Sequence, residues 1–284
     1  MNEVSQDIES RILDAQLYAE ADLAAAHSVT SLSRVAGLSP FHFQRIFKRV
    51  TGETVGRQLR RLRLERAAFL MKRSDASVAQ IAKLCGFATH SGFGRAFNDL
   101  FGVSPTEYRH RKSVDPYLLI DSDGSREQPV VHDQRRLTRS KLTVRIREIP
   151  DWTVAVRRFV GPVVKMPTVW PGFLNQLTDC GLLSETPLFL GIHSDDWDIT
   201  ETDRYRYDAG IVVGTDDVPP SLSTMLIPAG PVAMTSFSGS LLKLDTAWDR
   251  FVNDWLPASG WQFRTTFAFD LYSADLILSS RLQQ

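Results

Sequence analysis

The stretch CGFATHSGFGRAFNDLFGVSP, residues 85–105, decides the fold of the first half of the chain. Its apolar residues recur every three or four positions, which predicts an amphipathic helix that buries Phe93 and Phe97. Gly92 and Gly94 lie inside this pattern, although each glycine costs a helix about 1 kcal/mol relative to alanine. Two explanations stay open: the glycines allow close contact between helices, or they bring the helix backbone close to a binding partner.

An upstream stretch, SVTSLSRVAGLSPFHFQRIFKRVTG, residues 28–52, predicts a pair of short helices. Thr30 or Ser31 is expected to cap the first helix at its amino terminus. Ser39 is expected to cap the second, with Pro40 at the first helical position, where its missing N–H costs nothing.

The same helix pair recurs further along the chain. At an offset of 46 residues, Ser77 and Ile81 fall on Ser31 and Val35, whereas the second helices align at an offset of 50. This change of offset predicts a turn that is four residues longer in the second copy. Between the copies, residues 53–74 predict a longer helix with basic faces. The first half is therefore expected to hold two helix–turn–helix units joined by a basic helix.

Charge is divided unevenly along a chain whose formal net charge is zero. Residues 27–113 hold 16 Lys and Arg against 5 Asp and Glu, whereas residues 114–284 hold 16 against 22. The basic front half predicts a polyanionic partner, most simply DNA, because the second helix of such a unit can lie in the major groove. Two units in one chain predict contact with two successive grooves. The alternative is a solvated basic face.

Residues 7–112 resemble the AraC-type DNA-binding domain over its full length, through LSPFHFQRIFKRVTGETV, RLRLERAAFLM, IAKLCGF and FGRAFNDLFGVSPTEYR. The resemblance implies an all-α domain of seven helices with two helix–turn–helix units. It implies contacts with bases or phosphates from two sets of residues, namely Phe41, His42, Gln44, Arg45 and Lys48 in the first recognition helix and Thr89, His90, Ser91 and Arg95 in the second. Gln44 can pair with adenine and Arg45 with guanine. Gly92 and Gly94 depart from the family, which often has larger residues there.

The rear half contains a second repeat. Residues 113–140 mix Pro, Gly, Ser and charged residues and predict an interdomain linker, with a short strand at PYLLI. Residues 149–173 and 227–251 then match each other at an offset of 78. Each copy predicts a strand, a glycine turn and an amphipathic helix. Residues 141–284 are therefore expected to form an α+β domain of two pseudo-two-fold halves that share a sheet, with a ligand cleft between them.

This rear region resembles the GyrI-like effector-binding domain, through IREIPDWTVAVRRFVGP, LGIHSDDW, RYDAGIVV, IPAGPVAMTSFSG, WLPASGWQF and AFDLY. An AraC-type domain followed by a GyrI-like domain is the Rob-like order of domains. The resemblance implies an aromatic groove for an organic cation, with Asp270 standing where the family commonly has Glu. Tyr272 shares a face of the strand with Asp270, since side chains alternate along a strand. The candidate ligand-binding residues are Asp270, Tyr272, Trp170, Phe173, His193 and Trp248.

Several of these rear-half residues have structural alternatives. The aromatic residues lie at a helical spacing that is typical of a core, and Asp270 has the alternative of pairing with an arginine or capping a turn. HSDDWD, residues 193–198, favours a solvated acidic turn over a metal site, because no further His or Cys pattern accompanies it. For Asp208 two roles stay open, a structural pairing with Arg204 or Arg206 and contact with a ligand.

Composition excludes several classes of protein. Two cysteines, Cys85 and Cys180, make neither a disulfide framework nor a metal site. The polar start MNEVSQDIES predicts no signal peptide, and no run approaches the ~18 apolar residues of a membrane span. We therefore expect a cytoplasmic transcriptional regulator, not an enzyme, with no cofactor and no metal. Its expected partners are double-stranded DNA, a small-molecule effector and RNA polymerase. No association with a membrane is expected. The alternatives for the rear domain are a protein-interaction module and a weak hydrolase with Asp270 as base.

Overall fold

The computed structural model describes residues 3–110, 142–214, 218–238, 244–261 and 268–279. The predicted linker at 113–140, with its strand at PYLLI, lies outside these residues. Those described fall into two compact units. The first holds residues 3–110, 153–214, 218–227 and 268–279, and the second holds residues 142–152, 228–238 and 244–261.

Within residues 3–110 the first unit is entirely helical. Its helices are α1 Glu3–Ala21, α2 Val29–Val35, α3 Pro40–Thr51, α4 Val55–Arg73, α5 Val78–Leu84, α6 His90–Phe101 and α7 Pro105–His110. Helices α2 and α3 form one helix–turn–helix unit, and α5 and α6 form the other. The basic helix α4 lies between them, so the predicted all-α arrangement of this region is confirmed.

Polar caps explain where these short helices begin. Ser28 and Ser77 cap α2 and α5, each in a capping box, and Ser39 caps α3. The prediction for Ser39 is therefore confirmed, whereas the prediction of Thr30 or Ser31 as the cap of α2 is wrong. Ser31 lies in the first turn, where its hydroxyl accepts the N–H of Ser28 at 2.9 Å.

The caps also correct the register of the internal repeat. Ser77 lies 49 positions after Ser28, and Gly86 lies 49 positions after Gly37, both glycines having a positive φ. The offset of the first helices is therefore 49 rather than 46, and the second turn is one residue longer, not four. The sequence register was wrong by nearly one helical turn, because an apolar pattern with a period of about 3.6 residues matches itself after such a shift.

Helix α4 joins the cores of the two helix–turn–helix units. Among residues 3–110, one cluster of buried side chains surrounds Phe43 and includes Leu62 of α4. A second cluster surrounds Phe93 and includes Leu64 of the same helix. Because α4 contributes to both clusters, it holds the two units at a fixed spacing.

The rear half of the chain supplies the strands and further helices. These are β1 Val144–Ile149, β2 Trp152–Val160, α8 Val169–Asp179, β3 Phe189–His193, β4 Arg206–Val213, β5 Ser223–Ile227, β6 Gly230–Thr235, α9 Leu244–Arg250, α10 Leu256–Ser259, β7 Ala268–Tyr272 and α11 Ala274–Ser279. Five strands form a sheet in the order β5-β2-β4-β3-β7. Strand β4 pairs antiparallel with β2 and with β3, and β3 pairs antiparallel with β7.

Side chains of β4 alternate between two environments, as a strand requires. Tyr207, Ala209 and Ile211 pack in the hydrophobic core with residues of α8. Arg206 and Asp208 point to the opposite face, where both are buried among charged groups. Strand β4 therefore separates an apolar layer from an ionic one.

In the second unit, β1 and β6 pair antiparallel, from Val144 opposite Thr235 to Ile149 opposite Gly230. The strands that the structure describes thus form two sheets, so the prediction of one shared sheet is wrong for them. The rear-half copies both follow the predicted order of strand and then helix, β2 with α8 and β6 with α9. In the described ranges no helix has the length and apolar character of a membrane span.

Candidate nucleic-acid interface and ligand-binding cluster

Helix α3 separates an apolar face from a polar one. Phe43, Ile46 and Phe47 are buried, and they fix the orientation of the helix on its core. The opposite face carries most of the α3 residues that are predicted to contact DNA. Phe41 is 79% exposed there, and Gln44, Arg45 and Lys48 are exposed as well, whereas His42 is half-buried.

Helix α6 also separates an apolar face from a polar one, but the side chains on its polar face are smaller. Thr89 caps it, since its hydroxyl accepts the N–H of Gly92 at 3.1 Å. His90, Ser91 and Arg95 are exposed beyond that cap. In the described part of the chain, neither Arg45 of α3 nor Arg95 forms an ion pair, so both guanidinium groups keep donors for a bidentate partner.

The packing explanation for the glycines of α6 is wrong. An added Cβ at Gly92 would lie 2.8 Å from Thr89 Oγ1, an atom of the same helix end, and one at Gly94 would meet nothing within 4 Å. Neither glycine therefore makes room for a neighbouring helix. Gly92 leaves space for the capping hydroxyl, and Gly94 leaves an open surface.

The two candidate recognition helices differ in chemistry at equivalent positions. At the offset of 50, Gly94 stands where α3 has Gln44, and Asp99 stands where α3 has Arg49. Asp99 pairs with Arg60 at 3.2 Å on the surface. Helix α6 therefore carries fewer basic residues than α3 and lacks a side chain at the position of Gln44.

Four of the candidate ligand-binding residues come together in one hydrogen-bonded cluster with Tyr207. His193 lies 2.9 Å from Asp270 (Nε2 to Oδ2), and the hydroxyl of Tyr272 donates to the same Oδ2 at 3.2 Å. Tyr207 donates to the Tyr272 hydroxyl at 3.3 Å and accepts the indole N–H of Trp170 at 3.2 Å. The predicted shared face of Asp270 and Tyr272 is thus confirmed. Among its partners in the described residues, Asp270 has the imidazole of His193.

Burial keeps the phenols of this cluster protonated. It raises the pKa of Tyr207 and of Tyr272 far above the usual range, and the charge of Asp270 adds to the effect. The hydroxyl of Tyr205 and Nδ1 of His193 share a hydrogen bond of 2.9 Å. Burial raises the pKa of Tyr205 as well. The cluster therefore offers neutral hydroxyl groups and aromatic rings around one carboxylate.

Sequence reasoning missed the glycine that makes room for this cluster. A Cβ at Gly191, in β3, would lie 2.5 Å from the hydroxyl oxygen of Tyr207 and 2.6 Å from that of Tyr272. A glycine inside the strand pattern FLGIH was the available signal, since such a glycine often marks close approach. Tyr205 and Tyr207 were missed as well.

The remaining two candidate ligand residues do not take part in the hydrogen bonds described for this cluster. Phe173 is completely buried, with its ring 6.1 Å from that of Trp170 on α8. Trp248 lies on α9 in the second unit, with its ring 5.7 Å from that of Phe251. These two pairs occupy equivalent positions of the rear repeat.

The acidic stretch after β3 is not a solvated turn, so that prediction is wrong. The Asp195 side chain is 2% exposed and accepts the backbone N–H of Arg206 at 2.7 Å. Asp196 pairs with Arg73 of α4 at 2.8 Å. The described residues contain no group of three His, Cys, Asp or Glu suited to a metal ion. The acids instead hold arginines.

Strand β2 supplies a partner that sequence reasoning did not foresee. Arg158 donates to both carboxylate oxygens of Asp208, each at 2.8 Å, and to both oxygens of Glu20 in α1, at 2.8 and 2.9 Å. Asp208 therefore pairs with Arg158, not with Arg204 or Arg206 as predicted. Arg206 pairs with Glu20 as well. These contacts join α1 to β2 and β4 through buried charges.

Further ion pairs involve helix α4. Arg61 contacts Glu53 at 2.6 Å and Glu65 at 3.0 Å, and Arg204 contacts Glu53 at 3.3 Å. We call the buried set the ionic layer; it comprises Glu20, Glu53, Arg61, Glu65, Arg158, Asp195, Arg206 and Asp208. No sequence signal identifies it, because its members are far apart in the chain.

Opposite shifts of pKa show how finely the ionic layer is balanced. Burial favours the neutral form of Glu20, but Arg158 and Arg206 outweigh it and lower the pKa. At Glu65, burial and the nearby charge of Asp195 outweigh Arg61 and Arg206 and raise the pKa to about 7. Glu20 is thus held as a carboxylate, whereas Glu65 changes its charge near neutral pH.

Comparison with known proteins gives a match in each half of the chain. A family model described as a helix-turn-helix domain matches residues 32–111. A second model, described as a GyrI-like small molecule binding domain, matches residues 142–275. The first range contains both candidate recognition helices, and the second contains the whole ligand-binding cluster.

Individual relatives each match about a third of the chain. The probable transcriptional regulator LumQ of Photobacterium leiognathi is 39% identical over 92 residues, 32% of this chain and 37% of LumQ. The transposon Tn10 TetD protein of Escherichia coli is 33% identical over 101 residues, 36% of this chain and 73% of TetD. A Chromobacterium violaceum regulator with an AraC-type DNA-binding domain has a crystal structure with 28% identity, covering 38% of this chain and 94% of that one, at a TM-score of 0.34. This chain spans about a third of the length of LumQ.

Proposed function

Because the chain belongs to the AraC-type helix–turn–helix family and carries a GyrI-like domain, we propose that it is a sequence-specific transcriptional regulator that inserts α3 and α6 into successive major grooves of DNA. The observation that carries this proposal is the polar face of α3. It presents Gln44 and Arg45 beside an exposed Phe41, on a helix whose other face is fixed in a core. Such a face suits recognition of base edges.

The proposed division of contacts follows from residue chemistry. Gln44 is placed to pair with adenine and Arg45 with guanine, whereas Lys48 and His42 suit phosphate. In α6, Arg95 is the candidate for base contact, and Thr89, His90 and Ser91 lie at the helix end that approaches the backbone. Helix α4 sets the distance between the two helices, since it packs in both cores.

Selection of DNA from a random pool by the purified full chain tests the proposal. We expect enrichment of one site of about 15–20 base pairs with two sub-blocks one helical turn apart. Arg45→Ala is expected to cost about 1–3 kcal/mol of binding and to relax base preference at one position. Arg145→Ala, at an exposed arginine of β1, is the matched control. Weak binding without enrichment, lost steeply with salt, would contradict sequence-specific recognition.

For the rear region we propose a small-molecule effector rather than a substrate. The cluster of Asp270, Tyr272, His193 and Trp170 combines a carboxylate with aromatic rings, which is suitable chemistry for an organic cation. The name of LumQ, a probable transcriptional regulator, supports regulation rather than catalysis. A partner in RNA polymerase stays a prediction of the sequence.

Binding of a panel of small organic cations, measured by calorimetry on the full chain, tests the effector site. Asp270→Asn is expected to weaken binding at least tenfold, whereas Asp275→Asn, at an exposed acid on α11, leaves it unchanged. Equal affinity of wild type and Asp270→Asn would show that Asp270 is not the cation's partner.

The proposed route from effector to DNA is strand β4. Tyr207 extends into the ligand-binding cluster, while Arg206 and Asp208 lie on the other face of the strand in the ionic layer. That layer contacts α1 through Glu20 and α4 through Arg61. A shift of β4 on ligand binding therefore changes contacts of the helix that spaces the two helix–turn–helix units.

A further inference from the structure

Gly94 occupies a place where the helix would accept a side chain at no cost. A Cβ built there meets no atom within 4 Å, and the residue is not among the glycines with positive φ. Glycine is the poorest helix former after proline, because it gives up the most backbone freedom. Gly94 therefore destabilises α6, and no packing contact within the described structure requires a glycine at this position.

The neighbouring glycine is different, which isolates Gly94 as the residue to explain. A Cβ at Gly92 would crowd the hydroxyl of Thr89, which caps α6. The cap of α6 thus explains why position 92 is a glycine. Neither the cap nor the core gives such a reason for Gly94.

The position of Gly94 on the helix points outward. Ser91 and Asn98, three residues before and four residues after it, are both exposed and share its face. The opposite face holds Phe93 and Phe97, which are completely buried. This outward face is equivalent to the face of α3 that carries Gln44.

We infer that Gly94 lets the backbone of α6 lie directly against the DNA, with Arg95 beside it as the side chain that makes contact. The inference rests on the proposed function and divides recognition unequally. The first helix–turn–helix unit reads base edges with Gln44 and Arg45. The second recognises its sub-block by close fit to the groove, a form of readout that needs few side chains.

Two substitutions in the full chain, Gly94→Ala and Gly94→Gln, test the inference on the site that wild type selects. We expect the midpoint of thermal unfolding to stay equal or rise for Gly94→Ala. Affinity is expected to fall at least fivefold for alanine and further for glutamine, which restores the side chain of the first unit. A repeated selection should show the change in the sub-block of the second unit. Gly56→Ala, in α4 and also with open space for a Cβ, measures the effect of a stiffer helix outside both recognition helices.

The outcomes separate this inference from the proposed function. If Arg45→Ala weakens binding and Gly94→Ala leaves it within twofold of wild type, the inference is overturned and the regulator stands. Tighter binding by Gly94→Ala, or a lower unfolding midpoint, would likewise overturn it. If neither variant weakens binding, the proposed function fails together with the inference.

Discussion

Arg158 and Glu20 lie 138 residues apart in the sequence and meet in a two-pronged ion pair, with N–O distances of 2.8 and 2.9 Å. Arg158 comes from β2 and Glu20 from the last turn of α1. Their side chains are 6% and 14% exposed, so solvent screens the pair little. The same guanidinium group holds Asp208, which is fully buried. One arginine thus ties the helical region to the sheet.

Glu20→Gln is expected to lower the free energy of unfolding by about 3 kcal/mol, because it leaves Arg158 and Arg206 short of a buried counter-charge. Urea unfolding followed by circular dichroism measures the loss. Glu9→Gln, an exposed acid on the same helix, is the control and should change stability by less than ~0.5 kcal/mol. A loss no larger than the control would show that the pair is replaceable by water.

Glu65→Gln should remove a component of the pH dependence of stability. The folded-state pKa of Glu65 is raised to about 7, above its ordinary value of 4.5. The stability that protonation of Glu65 contributes is therefore complete below pH 4.5 and is lost as the pH rises through 7. The stability of wild type minus that of the variant should fall by on the order of 2 kcal/mol from pH 5 to pH 8. A difference that stays constant over this range would contradict the raised pKa.

Gly191→Ala is expected to destabilise the chain by about 1–3 kcal/mol, because the new methyl group collides with the hydroxyls of Tyr207 and Tyr272. Thermal or urea unfolding measures the change. Adding Tyr207→Phe removes one of the two hydroxyls and should recover part of the loss. Full stability of Gly191→Ala alone would mean that the tyrosines move apart freely.

Lys48→Ala should weaken binding to specific and non-specific DNA alike, and it should lower the slope of log affinity against log salt by about 1. Lys48 is exposed on the polar face of α3, where a contact with phosphate is proposed. Binding titrations at several salt concentrations measure the slope. Lys165→Ala, at an exposed lysine of the rear half, should leave it unchanged. An unaltered slope for Lys48→Ala would remove this residue from the interface.

Much of the front half could be predicted from the sequence, because its signals are local. The cap at Ser39 and the burial of Phe93 and Phe97 depend on residues within a few positions of each other. The register of the repeat was wrong, because periodicity alone does not distinguish Ser28 from Ser31 as the first residue of a helix. Cap geometry resolves that choice, and it exists only in the folded chain.

The candidate ligand site was predicted in part. The shared face of Asp270 and Tyr272 follows from the period of a strand, but the partner of Asp270 does not, since His193 lies 77 residues earlier. The prediction that the acidic stretch at Asp195 is solvated is wrong. Its charges suggested exposure, whereas the arginines that make its burial tolerable come from β4 and α4.

The sequence by itself determined the helices of the front half, the cap of α3, the two helix–turn–helix units and the strand-then-helix order of the rear repeat. Each of these depends on hydrogen bonds and apolar periods between residues close in the chain. Only the tertiary structure decided that Glu20 meets Arg158, that His193 meets Asp270 and that Gly94 faces open space. Such contacts join residues whose separation leaves no periodic trace, and their energy depends on burial that the fold alone creates.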